Sequence, residues 1–165
     1  MVAVRQYLWA LSLALGLAGC ATTNNERWKI FNEDGVHLFA RGDYRDALDS
    51  FEYALTLRPQ DPVLIFNVAQ CFDRLGDFKR AEEYYVYCLE KDPGHGEARL
   101  AWLSLLYRTG RAAEADRQIH AWLSQNPGAA DAHVADAWRL RQLRAYPMAQ
   151  TRLQQALSLD GRNRL

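Results

Sequence analysis

Cysteine is scarce in this chain: three among 165 residues, none in a Cys-x-x-Cys pair. That excludes a disulfide-built scaffold and gives no hint of structural zinc. Charge of one sign is missing too, with 20 Lys and Arg against 20 Asp and Glu. A nucleic-acid binder that works by neutralising phosphates would need a basic excess, and a disordered acidic tail the reverse. The chain has no HExxH, no phosphate-cradling glycine loop and no serine in a nucleophile elbow. His37, His95, His120 and His133 stand alone, away from any Cys or His at metal spacing. No metal, no cofactor, no nucleic acid and no catalysis are therefore expected. What the chain does hold is apolar: 49% hydrophobic residues, with five Trp, eight Tyr and six Phe. At this length it fits one domain with a real core.

Also lacking is an apolar run of the roughly 20 residues that span a bilayer. Tyr7 to Leu17 is apolar and uncharged but short; Arg5 precedes it, and Leu17-Ala18-Gly19-Cys20 follows. A positive start, a brief apolar stretch and small residues before a cut describe a secretory signal. The tetrapeptide resembles the lipobox of bacterial lipoproteins. That resemblance implies diacylglycerol on the thiol of Cys20, cleavage before it, and a further acyl chain, such as palmitate, on the new amine. The protein would be held at a membrane without crossing it, since several buried chains, at about 0.8 kcal/mol per CH₂, hold where one does so only marginally. Residues 1–19 are then the signal and 20–27 a polar tether. Ala21 stands where the lipoprotein family places an inner-membrane retention Asp. The expected address is the periplasmic face of the outer membrane, if two membranes are present.

The remainder repeats with a period of 34. One column is Ala47, Ala81, Ala115 and Ala149; others are Leu38, Phe72, Leu106 and Leu140, then Phe51, Tyr85, Ile119 and Leu153, then Leu55, Leu89, Leu123 and Leu157. Gly42, Gly76 and Gly110 recur in the same step, as do Pro59, Pro93 and Pro127. Within a period the apolar residues fall at helical spacing in two stripes, Phe31, Gly35, Leu38 and Phe39, then Tyr44, Ala47, Leu48, Phe51, Ala54 and Leu55. Gly42 between them suits a left-handed helix end, Asp43 and Asp77 suit caps on the helices that follow, and Pro62 after Asp61 suits a helix start. Each unit therefore reads helix–turn–helix, with the recurring alanines marking close backbone approach.

These residues resemble the tetratricopeptide repeat family over 28–161, in units 28–61, 62–95, 96–129 and 130–161, with a tail at 162–165. The resemblance implies an all-α solenoid with one continuous core, a right-handed superhelix, and a concave wall made by the first helix of each pair. Some positions depart from the pattern. Leu103 and Trp122 stand where other units have small residues, which puts the helix spacing of unit three in question, and Ala112 replaces the aromatic of Tyr44, Phe78 and Tyr146 as an offset in volume. Arg144 replaces the turn glycine, and Pro147 enters the first turn of the last helix. So short a tail leaves no capping helix. Either Gln150, Arg152, Gln154 and Gln155 make the last helix polar enough, or a partner or second copy covers it, which makes that helix a candidate homodimer contact.

Cys71 and Cys88 both face inward in unit two, as a disulfide or as two small buried thiols; a bond needs Cα atoms within about 7 Å, closer than most packed helix pairs allow. The concave columns are Asn32, Phe66, Leu100 and Val134; Val36, Gln70, Ser104 and Trp138; Phe39, Asp73, Tyr107 and Arg141; and Ala40, Arg74, Arg108 and Gln142. Phe66, Tyr107 and Trp138 would form apolar walls. Asn67 and Gln70 would bond a partner backbone, and Arg74 and Arg108 would meet carboxylates. The carboxylate clamp of some family members is not matched, because Val36, Glu97 and Ala101 supply neither positive charge nor amide at the clamp columns. A lipid anchor joined to such repeats resembles envelope adaptors such as pilotins. The expected function is a membrane-tethered adaptor that docks an extended or helical protein segment, in pilus or secretin assembly; the alternative is an adaptor or regulator of cell-wall enzymes.

Overall fold

A computed structural model describes residues 26–163. The signal, Cys20 and most of the tether lie outside the described residues. Eight helices and no strand occur among them: α1 (26–41), α2 (Tyr44–Leu57), α3 (Pro62–Arg74), α4 (Phe78–Lys91), α5 (Gly96–Arg108), α6 (Ala112–Gln125), α7 (Ala130–Gln142) and α8 (Tyr146–Asn163). They pair as antiparallel hairpins that stack in chain order, an all-α solenoid. None of the described helices is long and apolar enough to cross a membrane. Glu26 and Arg27, read from the sequence as tether, already belong to α1, where Glu26 pairs with Lys29 at 2.6 Å. At the other end α8 runs on to Asn163, into the tail.

The turns obey backbone chemistry. Gly42, Gly76 and Gly110 have φ of 89°, 81° and 80°, and Arg144 adopts φ 58° in the fourth turn. A side chain at such φ costs about 1–2 kcal/mol, so the last turn is strained where the others are relaxed. Asp61 caps α3 by accepting from the amides of Val63 and Leu64, and Asp77 caps α4 by accepting from the amide of Arg80. Those charge-assisted bonds hold the Asp77 carboxyl below its usual range. Asp43 does not cap α2; its carboxylate pairs with Arg41 at 3.0 Å instead.

Hairpins close over small residues. A methyl added at Gly35 would sit 2.6 Å from Cε1 of Phe51, so α1 and α2 approach too closely for any side chain there. Ala69 and Ala137 repeat that position, and the column from Ala47 to Ala149 is buried throughout. Leu103 and Trp122, the two bulky departures, are buried as well. They wedge α5 from α6, whose backbones approach much less closely than those of α3 and α4 or α7 and α8. The core is therefore not one continuous body. It divides into a large cluster that runs through units one and two onto Ala98 and Leu105 of α5, a second around Ile119 and Trp122, and a small third around Ala137, Leu140 and Ala149, with Trp102 packing against the first two.

Unit four is joined differently. Asp136 is 2% exposed, and its carboxylate accepts from Arg139 of α7 at 2.6 and 2.9 Å and from Arg152 of α8 at 2.7 Å. Beyond it, Leu157 is 72% exposed, although Leu55, Leu89 and Leu123 in the same column are partly covered by the next unit. The polar residues of α8 thus leave an apolar face open. Cys71 and Cys88 are free, buried thiols, not a disulfide. Burial pushes Cys71 up to about 12 and Cys88 up to about 11, and the Cys88 thiol donates to the Pro62 carbonyl at 3.3 Å.

With thiolate so disfavoured at both sites, iodoacetamide at pH 8 should modify Cys71 and Cys88 only after denaturation, as read by peptide mass mapping. Asp136→Asn leaves two arginines sharing one neutral amide, and urea unfolding should show a loss of about 3 kcal/mol.

Candidate interaction site

The first helices of the pairs, α1, α3, α5 and α7, carry the residues expected to line the wall, but the fold uses several of them internally. Phe66 is 7% exposed and packs on Tyr85 and His95, with ring centroids 6.0 and 4.9 Å away. It is a core residue and not an open wall, because Tyr85 of the paired helix reaches across to it. Asn67 donates from Nδ2 to Oδ1 of Asn32 at 3.0 Å, so two amides expected to be available to a ligand staple α1 to α3. Gln70 is half-buried and makes no side-chain hydrogen bond among the described residues.

Arg74 and Arg108 are committed too. The guanidinium carbon of Arg74 lies 5.7 Å from the ring centres of both Phe39 and Tyr44; that of Arg108 lies 5.3 Å from Phe78. Tyr44 and Phe78 are one period apart, as are the two arginines, so one contact repeats at two junctions between units. Asp73 stands in the column of Phe39 and takes a salt bridge from Arg108. Arg111 adds another link by donating to Glu82 at 2.5 Å. These arginines join units by covering rings and meeting the chain's own carboxylates.

At the third junction the contact has lost both halves. Gln142 takes the arginine's place and Ala112 the aromatic's. Ala112 is exposed, and a hollow of about 420 Å³ opens there, lined by Tyr107, Arg108, Ala112, Asp116, Trp138, Arg139, Gln142 and Leu143. Ala112 is exposed at the surface and therefore does not offset Leu103 and Trp122, which are buried in the core. Tyr107 donates its hydroxyl to Asp116 and meets Trp138 edge-on, centroids 4.5 Å apart at 74°. Burial, then the bond to Asp116, raises the Tyr107 phenol well above its ordinary range, so it stays a donor at any physiological pH. On its other side Trp138 walls a second hollow of about 160 Å³ with Leu100, Leu103, Ser104, Ile119, Val134 and Ala135. Arg141 is exposed nearby and enters no ion pair among the described residues.

Of the expected site residues, the structure brings Tyr107, Arg108 and Trp138 together at these hollows, with Arg141 close in sequence. Asn32, Phe66, Asn67 and Arg74 go to internal packing. The hollow itself was missed, although its signal lay in the paired departures at 112 and 142. Among the described residues no cluster of His, Cys, Asp and Glu could hold a metal ion.

A stacked array of helical hairpins with a hollowed inner wall defines a class of repeat scaffold, and comparison with known proteins names it. The tetratricopeptide repeat model matches residues 38–85 and 74–138, and the chain belongs to that family. It is similar in structure to TTC0263, a tetratricopeptide repeat protein of Thermus thermophilus, with a TM-score of 0.64, 26% identity, and coverage of 81% of this chain and 75% of that one. It is also similar to YrrB, described as a tetratricopeptide repeat protein with an unusual peptide-binding site. There the TM-score is 0.55 at 25% identity, over 78% of this chain and 66% of YrrB. The crystal structure of MamA shares the fold, with a TM-score of 0.61 at 12% identity, over 88% of this chain and 85% of MamA. In sequence, 48 residues are 42% identical to outer dynein arm-docking complex subunit 4 of Danio rerio, 29% of this chain but a tenth of that protein. Such a fold serves protein–protein interaction.

Because Arg108 covers Phe78 and pairs with Asp73, Arg108→Ala should lower the free energy of urea unfolding by about 1 kcal/mol. Arg141→Ala, which breaks no contact of this kind, should stay within about 0.5 kcal/mol of wild type in the same measurement.

Proposed function

We propose that the chain is a lipid-anchored adaptor of a bacterial cell envelope, tethered through Cys20, on the periplasmic face of the outer membrane where two membranes exist. Its repeat domain holds a segment of another protein along the concave wall, in the assembly of a pilus or secretin. The observation that carries the binding role is the pair of hollows flanking Trp138, on a wall where Phe66, Asn67 and Arg74 are taken up by internal contacts. Aromatic rings rimmed by arginine are the composition of interface anchors. The peptide-binding site named for YrrB supports the same reading. Leu17-Ala18-Gly19-Cys20 after an apolar stretch supports the anchor. No step in this reading requires catalysis.

A photo-crosslinking residue placed at Ser104, beside the second hollow, should capture a pilus or secretin component in cells, while one at Glu90, exposed on α4, should not. Capture of cell-wall hydrolases at Ser104, or equal capture at both positions, would overturn the assembly role. Cys20→Ser should move the protein from the detergent phase to the aqueous phase; unchanged partitioning would remove the anchor.

A further inference from the structure

The first two junctions show what the third one lacks. At the first, Tyr44 sits edge-on to Phe39, centroids 5.1 Å apart at 63°, under the guanidinium of Arg74. At the second, Phe78 takes the same place under Arg108. At the third, Tyr107 stands where Phe39 does and Trp138 packs against it, but Ala112 supplies no ring and the space is open. We propose that this vacancy is a seat for an aromatic side chain of the bound partner, which completes from outside the contact that Tyr44 and Phe78 make from within.

The charges around the hollow say what should flank that ring: the one carboxylate lining it, Asp116, is taken by the Tyr107 hydroxyl, and Arg141 and Arg144 flank its lining residues Gln142 and Leu143 in the chain. Residues 138–152 contain four arginines, Arg139, Arg141, Arg144 and Arg152, and no carboxylate. Arg139 and Arg152 are spent on Asp136, whereas Arg141 and Arg144 enter no ion pair among the described residues. Arg144 also holds a left-handed backbone that glycine would adopt without strain, and strain of this kind is retained where a side chain is used. The partner segment therefore carries an aromatic residue beside acidic ones. A volume of about 420 Å³ falls within the roughly 300–1,000 Å³ range of ligand clefts, room for a ring and its adjoining backbone. The inference rests on the reading that this wall holds a protein segment, but its test uses purified protein and defined peptides, so it can fail while capture at Ser104 stands.

The chain carrying Cys20→Ser, labelled with ¹⁵N, is titrated with the blocked peptide acetyl-Asp-Phe-Asp-amide while the indole N–H signal of Trp138 is followed, assigned through its loss in Trp138→Phe. The signal should move saturably in the millimolar range or tighter, and acetyl-Lys-Phe-Lys-amide should bind about tenfold more weakly, as reversal of the flanking charges requires. Ala112→Phe fills the seat from within and should abolish the response while raising the unfolding temperature. Arg144→Gly relieves the turn yet should weaken binding about two- to fivefold, a loss that unfolding does not explain. An unmoved Trp138 signal, equal affinity for the two peptides, or unchanged binding by Ala112→Phe would each overturn the proposal.

Discussion

A helical hairpin of about thirty residues cannot cover its own apolar faces, and everything in this molecule follows from that shortage. Each pair is completed only by the next, so every unit must present a matching surface at a fixed step along the chain. The step works because helix backbones close over residues with almost no side chain. Gly35 lies so near the ring of Phe51 that one added methyl would collide with it, and the alanines from Ala47 to Ala149 are buried for the same reason. Small residues set the distance between helices, large ones from the neighbouring helix fill the gap, and overpacking by a single methyl in such a place costs about 1–3 kcal/mol.

Recurrence makes irregularity informative. Where unit three places Leu103 and Trp122 in small positions, its two helices stand apart and the core is interrupted. Where it loses the ring at 112 and the cation at 142, the surface between units opens. One unit thus carries a loosely approaching helix pair and walls of both hollows, while units one and two are sealed by arginines lying across tyrosine and phenylalanine. The regular part of the array acts as frame, and the part that breaks register is left with side chains not consumed in joining the frame.

The helices, their pairing and the family were legible because a 34-residue period writes the same burial pattern several times over. The polar side chains were not legible in the same way. Register placed Arg74 and Asn67 on α3 and Arg108 on α5, but register does not say whether a group meets a ligand or a neighbour one period away. Arg108 meets Asp73 and Asn67 meets Asn32, each a contact 35 residues apart in the chain, set by how closely adjacent units stack. Phe66 was misjudged for a related reason: whether an aromatic faces the groove or the core depends on the length of the residue opposite, here Tyr85. Asp43 fails as a cap although Asp77 succeeds, because Arg41 next to it competes for the carboxylate.

In a stack where each unit touches only its neighbours, rigidity is local. The first two units share one large cluster that reaches α5 through Ala98 and Leu105, whereas a separate cluster, with Leu103 and Trp122 in it, holds α5 and α6. Their backbones approach much less closely than those of α3 and α4 or α7 and α8, so bending the rod there disturbs less helix packing than within those pairs. Two closely paired blocks, α3 with α4 and α7 with α8, meeting at a looser seam behave like jaws, and Trp138 lies beside that seam through its contact with Tyr107 of α5.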